Sequence, residues 1–232
     1  MQGRGDVFSI SGIDTGIGKT IATGLIARGL AEAGVRVITQ KAVQTGCIGI
    51  SEDIEKHRQL MGVPLLAEDL AGLTCSYLYK TPCSPHLAAS LENDRIDTAR
   101  ITEATEELRS RFEVVLLEGA GGLFVPLREE YTLLDYFTDV GWPVILVTSS
   151  RLGSINHTLA SLEALRHRDL KLAGVIYNNQ AETERHIAED SLRMIALYIH
   201  RYGFTCPLIE MYNEQFYAGP GGCRLFATLC GR

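Results

Sequence analysis

Five short runs, apolar along their length and rich in β-branched residues, punctuate the chain: "VFSIS" from Val7, "VRVIT" from Val35, "VVLLEG" from Val114, "VILVT" from Val144 and "LAGVIYN" from Leu172. Strands without a polar face have to be covered on both sides, as in a parallel sheet flanked by helices. Between the first two runs, Ile21, Leu25, Ile26 and Leu30 recur at helical spacing and Gly34 supplies a stop. Lys19 to Ala33 therefore reads as the crossover helix of a βαβ unit. Further helices are expected from Thr98 to Arg111, from an N-cap at Ser154 to His167, and from Glu182 to His200. Shorter ones fit Glu52 to Met61 and Ser84 to Leu91, inside the weakly periodic stretch from Cys47 to Asp97. The expected fold is α/β, a doubly wound, mainly parallel sheet with helices on both faces. No linker or internal repeat divides the sequence, so residues 1–232 are expected to form a single domain.

Composition narrows the function classes. With 46% hydrophobic and 22% charged residues the chain is ordinary for a globular protein, and no apolar run is long enough to cross a bilayer. A formal charge of -6 without a Lys/Arg block argues against a partner bound through its phosphate backbone, so neither nucleic acid nor membrane is expected. The start lacks a long apolar segment and a small-residue cleavage site, so a cytoplasmic location is expected. Six cysteines show neither CxxC pairs nor disulfide-scaffold density, and most of them are expected to be reduced and structural.

In a doubly wound sheet, ligands collect beyond the carboxyl ends of the strands. After the first strand comes "GIDTGIGKT", Gly12 to Thr20. The general phosphate-loop pattern asks for Gly, four residues and Gly-Lys-Ser/Thr, which puts Ile13 where the first glycine belongs and leaves Gly12 one place early. The context nevertheless fits: backbone N–H groups of Gly16, Ile17 and Gly18 can wrap a phosphate, Lys19 can reach the terminal phosphates, and the Thr20 hydroxyl can ligate Mg²⁺. A tight strand-to-helix turn would use glycines too, but gives no reason for Lys-Thr at the helix start. Glu118 ends a strand before Gly119, Ala120, Gly121 and Gly122, where a carboxylate can hold Mg²⁺ and glycines let backbone approach a ligand. Asp53 could be a second acidic contact or an ordinary helix N-terminal acid. Lys41, after the second strand and expected beside the first, could add positive charge at a transferring phosphoryl group or be a surface lysine. His86 fits an acid–base group or a packing role at the Pro85 turn. Asn156 and His157 sit in a helical first turn that could bind an anion or simply be capped by Ser154.

Taken together these pieces resemble the ATP-dependent dethiobiotin synthetase family of the P-loop NTPase-like folds. Its loop G-x-D-T-x-[VI]-G-K-T is matched by "GIDTGIGKT", including the five residues between the outer glycines. K-P-V-x-[ST]-G is matched by "KAVQTG" with Ala42 in place of proline, the acidic residue further on by Asp53, and S-P-H by Ser84 to His86. E-G-A-G-G is matched from Glu118, LGxINH from Leu152 to His157, and the strand ending in Asn at Asn178, where Asn179 stands for the family's frequent Asp. No match extends beyond about Pro207.

The resemblance implies that 7,8-diaminopelargonate, CO2 (bicarbonate in solution) and ATP give dethiobiotin, ADP and phosphate. It implies ATP at Gly16, Ile17, Gly18, Lys19, Thr20, Ile21, Asp53, Glu118, Asn178 and Asn179, and Mg²⁺ at Thr20, Asp53 and Glu118. Lys41 and Lys19 would be catalytic, Thr45, Gly119, Ala120 and Gly121 would contact the diamine, and Asn178 would read adenine. A homodimer is implied, with the substrate carboxylate docking at Gly153, Ser154 and Asn156 of the other subunit. Partition- and Min-type switch ATPases carry a signature lysine where this chain has Asp14, and usually a basic or amphipathic terminal helix. Cobyrinate-type amide synthases carry a glutaminase domain for which this chain is too short.

Overall fold

The computed structural model describes residues 4–179, 183–219 and 221–232. The chain runs β1 (Asp6–Gly12), α1 (Lys19–Glu32), β2 (Val37–Lys41), β3 (Gln44–Thr45), α2 (Glu52–Met61), α3 (Ala67–Leu70), β4 (Leu78–Tyr79), α4 (Pro85–Leu91) and α5 (Thr98–Arg111). It continues through β5 (Val114–Gly122), β6 (Pro126–Arg128), β7 (Tyr131–Thr132), α6 (Leu133–Val140), β8 (Val144–Ser149) and α7 (Ser154–His167). The final elements are β9 (Leu172–Asn178), α8 (Arg185–Arg201), β10 (Leu208–Met211) and α9 (Arg224–Ala227). Six strands form one sheet in the order β10-β9-β8-β1-β5-β2, and every neighbouring pair in it is parallel. Two short strand pairs, β3 with β4 and β6 with β7, lie apart from it.

This is the doubly wound α/β fold that the apolar runs call for, with two corrections to the strands. The second strand begins at Val37, and it lies against β5 with β5 between it and β1, so Lys41 stands opposite Glu118 and not beside the first strand. In the sheet, β5 and β2 lie on one side of β1, and β8, β9 and β10 on the other, so the winding reverses at β1. That reversal opens a crevice at the carboxyl ends, and the loop after β1 enters it.

Helix ends explain the remaining boundaries. Ser51 caps α2 by accepting the Ile54 N–H at 3.3 Å, and Gly62 in the left-handed region (φ 71) ends it. The expected N-cap at Ser154 is instead Gly153, whose φ of 91 a serine would hold only under strain. Ser154 is the first helical residue, and its buried hydroxyl bonds the Ser149 hydroxyl at 2.9 Å. The helix expected from Glu182 begins at Arg185 and ends at Arg201, and Glu182 itself lies outside the described residues.

The segment after Pro207 is part of the core. Leu208–Met211 adds the sixth strand beside β9, and α9 lies on α1 so closely that a Cβ at Gly29 would fall 2.1 Å from the Cys223 carbonyl oxygen. Backbone cannot yield as a flexible side chain can. Gly29→Ala is expected to destabilise the protein by about 1–3 kcal/mol, read by chemical denaturation, and an unchanged midpoint would mean that the C-terminal segment is loosely held. All six cysteines are free, and burial pushes the thiols of Cys75, Cys206 and Cys223 up to about 11. No helix among the described residues is long and apolar enough to cross a membrane.

Candidate active site

The loop after β1 resolves the question of its early glycine. Gly12 ends β1 opposite Gly122 of β5, and a Cβ there would fall 2.7 Å from Ile17 Cδ1. Its role is therefore to let the buried Ile17 side chain close down on the strand. The turn itself is made by Gly16 (φ 70) and Gly18 (φ 99), both in the left-handed region. No side chain caps α1 and its first turn carries no acid, so the orphan N–H groups and positive dipole end face the crevice. Asn178 supports the loop from behind, donating from Nδ2 to the Ile17 carbonyl at 2.8 Å.

A cavity of about 660 Å³ opens on this loop. Gly16, Gly18, Lys19, Thr20, Lys41, Thr45, Asp53, Glu118, Ala120 and Gly121 all line it, together with Pro82, Cys83, Ser84 and Pro85 from the start of α4. Four segments far apart in sequence thus converge. Glu118 and Lys41 arrive from adjacent strands in register, Thr20 from the first turn of α1, and Asp53 from the first turn of α2. The Thr20 hydroxyl lies 3.0 Å from Asp53 Oδ1 and 3.2 Å from Glu118 Oε1. Lys41 Nζ spans the same two carboxylates, 2.8 Å from Glu118 Oε1 and 2.5 Å from Asp53 Oδ2.

These charges are buried, which sets their protonation. Burial pushes the Glu118 carboxyl up, but the Lys41 charge and the hydrogen bond from His57 outweigh it and hold the group ionised, well below the usual carboxylate range. Burial alone would lower Lys41; Glu118 and Asp53 reverse that and keep its ammonium above the ordinary lysine range. Lys41 is therefore a permanent cation. Among the described residues the Lys19 ammonium donates only to the Asp14 carbonyl, at 2.9 Å, and burial followed by repulsion from Lys41 brings it down to about 8. Two carboxylates and a hydroxyl make an all-oxygen donor set, which suits a hard cation that keeps water and phosphate oxygens. Among the described residues no three His, Cys, Asp or Glu side chains cluster as a metal cage, so such an ion would need the nucleotide to complete its coordination.

The other sequence candidates are placed less directly. Gly119 abuts the site through its carbonyl, which accepts from Lys41 Nζ at 3.3 Å. Ile21 sits in the first turn of α1 but outside the cavity lining, and Asn179 faces a separate cavity of about 620 Å³ with Glu210 and Tyr212. Gly153, Ser154 and Asn156 do not line the phosphate-loop cavity. His86, in α4, lines a different cavity with Arg128 and Tyr131. Ala42 does not loosen its loop: it is fully buried, and its N–H donates to the Glu118 carbonyl at 2.9 Å, a bond that proline could not make. Asp14, a loop residue without an evident task in the sequence, accepts the Thr15 N–H and an Arg151 guanidinium N–H, the latter at 2.6 Å. It ties the phosphate loop to the loop after β8.

The sequence profile of a family described as an AAA domain matches residues 6–203. An ATP-dependent dethiobiotin synthetase from Chlorobaculum tepidum is 50% identical over 219 residues, covering 94% of this chain and 92% of that protein. The chain belongs to the ATP-dependent dethiobiotin synthetase family. Dethiobiotin synthetases from Pasteurella multocida (50% identity, 84% of this chain and 92% of that one) and Lysinibacillus sphaericus (37%, 97% of each) agree with it. Among solved structures, a ParA family ATPase from Chlorobium tepidum superimposes with a TM-score of 0.53 at 12% identity, covering 98% of this chain and 92% of that chain. At that identity the likeness is one of fold, and the dethiobiotin synthetase relatives outweigh the switch-ATPase alternative.

His57 and Arg58 are functional-site neighbours that motif reading misses. They look like the polar face of a surface helix, yet both are buried beneath Glu118 and Asp69. The available signal is spacing: His57 lies four residues after Asp53 and so shares its helical face.

Proposed function

We propose that this chain is an ATP-dependent ligase that forms carbon–nitrogen bonds, converting 7,8-diaminopelargonate, CO2 and ATP into dethiobiotin, ADP and phosphate, with residues 1–232 acting as one domain. The observation that carries the reading is the second buried lysine, Lys41, fixed between Glu118 and Asp53 at the mouth of a phosphate loop. A second fixed cation, supplied from β2 and not from the phosphate loop, suits a reaction with a second anion beside the γ-phosphate.

One amine of the substrate adds to CO2 and loses a proton, giving a carbamate. A carbamate oxygen then takes the γ-phosphoryl group, releasing ADP and forming a carbamic–phosphoric anhydride. The neighbouring amine attacks the anhydride carbon, phosphate leaves with the C–O electron pair, and a proton is lost as the cyclic urea closes. Lys41, always charged, offsets negative charge on the carbamate and the transferring phosphoryl oxygens. Lys19 does so from the β,γ side, where an arriving phosphate stabilises its ammonium form. Thr20, Asp53 and Glu118 would hold Mg²⁺. When bound, that ion neutralises phosphate charge and fixes the geometry of transfer.

Thr45, Ala120 and Gly121, which line the cavity, and the adjoining Gly119 are assigned to the diamine. Asn178 and Asn179 are assigned to the adenine end, supported by the cavity that Asn179 shares with Glu210. Gly153, Ser154 and Asn156 are assigned to the substrate carboxylate of a second copy in a homodimer. Support comes from the uncapped N-terminus of α7. A cytoplasmic location accords with substrates of primary metabolism.

ATP hydrolysis assayed with and without the diamine and bicarbonate tests the reading. Phosphate release is expected to depend on both, one phosphate per dethiobiotin formed. Stimulation by DNA or lipid in their place would sink it.

A further inference from the structure

We propose that a buried relay running Asp69, Arg58, Thr39, His57 fixes the orientation of the Glu118 carboxylate, with His57 as a positioning residue for the nucleotide site. All five side chains are shielded from water: Thr39, His57 and Glu118 are 0% exposed, Arg58 2% and Asp69 6%. Buried polar groups at that depth are tolerated only when each finds a partner, and the partners here impose a direction.

Asp69 grips Arg58 with both oxygens, Oδ2 accepting from Nε and Oδ1 from Nη2, each at 2.8 Å. Arg58 Nη1 then donates to the Thr39 hydroxyl at 2.9 Å, and a guanidinium can only donate. The buried hydroxyl still has to place its own proton, and the acceptor it meets among the described residues is His57 Nδ1, 3.0 Å from the oxygen. An Nδ1 that accepts leaves the neutral ring its proton on Nε2, which faces Glu118 Oε2 at 2.8 Å. The relay thus selects one tautomer, the one able to donate to the carboxylate.

The consequence falls on Glu118. Its Oε2 is committed to His57, so the carboxylate cannot turn over, and Oε1 alone is presented to Thr20 and Lys41. His57 does not line the cavity, so it acts through Glu118 and not on substrate. The strand period makes the arrangement possible: Thr39 and Lys41, two apart on β2, project to the same face, where α2 brings Asp53 and His57 from one helical stripe. This inference rests on the assignment of Glu118 to the nucleotide site, and the test below separates the two.

Long-range ¹H–¹⁵N NMR of nucleotide-free protein reports the tautomer directly. His57 is expected to be protonated at Nε2 and bare at Nδ1; a ring protonated at Nδ1, or freely mixing tautomers, overturns the relay. Thr39→Val keeps the shape and removes the hydroxyl, so mixing is expected there, and Thr39→Ser is expected to restore the single tautomer. The second readout is ADP affinity with and without manganese(II). In Thr39→Val the enhancement by manganese is expected to fall about tenfold, with metal-free ADP affinity held within about twofold. Equal loss in both, or loss in neither, would reduce the relay to packing and overturn the proposal. Should Thr39→Val fail to fold, His57→Gln, which retains a donor toward Glu118, and His57→Leu, which does not, make the same comparison, and only the leucine variant is expected to lose the enhancement. Glu118→Gln tests the underlying assignment: an unaltered manganese enhancement there refutes the role of Glu118 while leaving the tautomer result standing.

Discussion

Lys41→Gln is expected to lower the rate of dethiobiotin formation by about 10²–10³-fold at saturating substrates, measured as product formed per enzyme. The effect follows from a fixed positive charge in a site only 5% exposed, where no water can replace it. Stability should fall as well, because the change leaves Glu118 buried and charged with His57 as its main remaining partner. Removing one partner of a buried pair costs about 3–5 kcal/mol, so Lys41→Ala is not a silent probe of chemistry on an intact fold. The two losses can be separated. Adding Glu118→Gln to Lys41→Gln removes the stranded charge, so denaturation midpoints are expected to recover while turnover stays lost. Wild-type turnover in Lys41→Gln would refute the catalytic assignment, and a double variant no more stable than the single one would refute the electrostatic account of stability.

What could be read in the sequence, and what could not, follows from the range of the interactions concerned. The apolar runs, the α1 stripe and the phosphate loop are written in neighbours a few residues apart, and they lead to the strands, the parallel sheet and the cradle of Gly16 to Thr20. Helices Glu52–Met61 and Thr98–Arg111 emerge at their expected bounds because Ser51 and Asp97 cap them locally. Lys41 meeting Glu118 depends on which strand lies beside β2 and in what register, facts settled only when the sheet assembles. The sixth strand is four residues long at a sheet edge, with burial alternating along it, too short to declare a period. Ser154 misleads because serine is a good cap in general, whereas here the turn takes a left-handed residue and glycine precedes it. Arg58 and His57 carry a surface composition and a core position. Charge becomes buriable once Asp69, eleven residues on, is there to pair with it.

That pairing sets the largest stability effect expected away from the cavity. Asp69→Ala is expected to cost about 3–5 kcal/mol in chemical denaturation, since it strands a guanidinium that is 2% exposed. It also removes the acceptor for the Thr74 hydroxyl (2.7 Å) and for the Leu66 N–H (2.7 Å) at the start of α3. Burial by itself would raise the Asp69 carboxyl, but Arg58, Leu66 and Thr74 outweigh it and hold the folded-state pKa below the ordinary aspartate value. A depressed folded pKa means that the unfolded chain takes up the proton first as pH falls. The stabilisation from Asp69 is therefore complete above about pH 4 and is lost as pH drops toward the lower folded value. Wild type should show this as a steep acid limb, and Asp69→Ala as a shallower one from a lower plateau. Replacing both partners, Arg58→Leu with Asp69→Leu, leaves no charge to strand and is expected to recover much of the lost stability. If the double variant were instead as unstable as Asp69→Ala, the cost would lie in packing around α3 and not in the uncompensated charge.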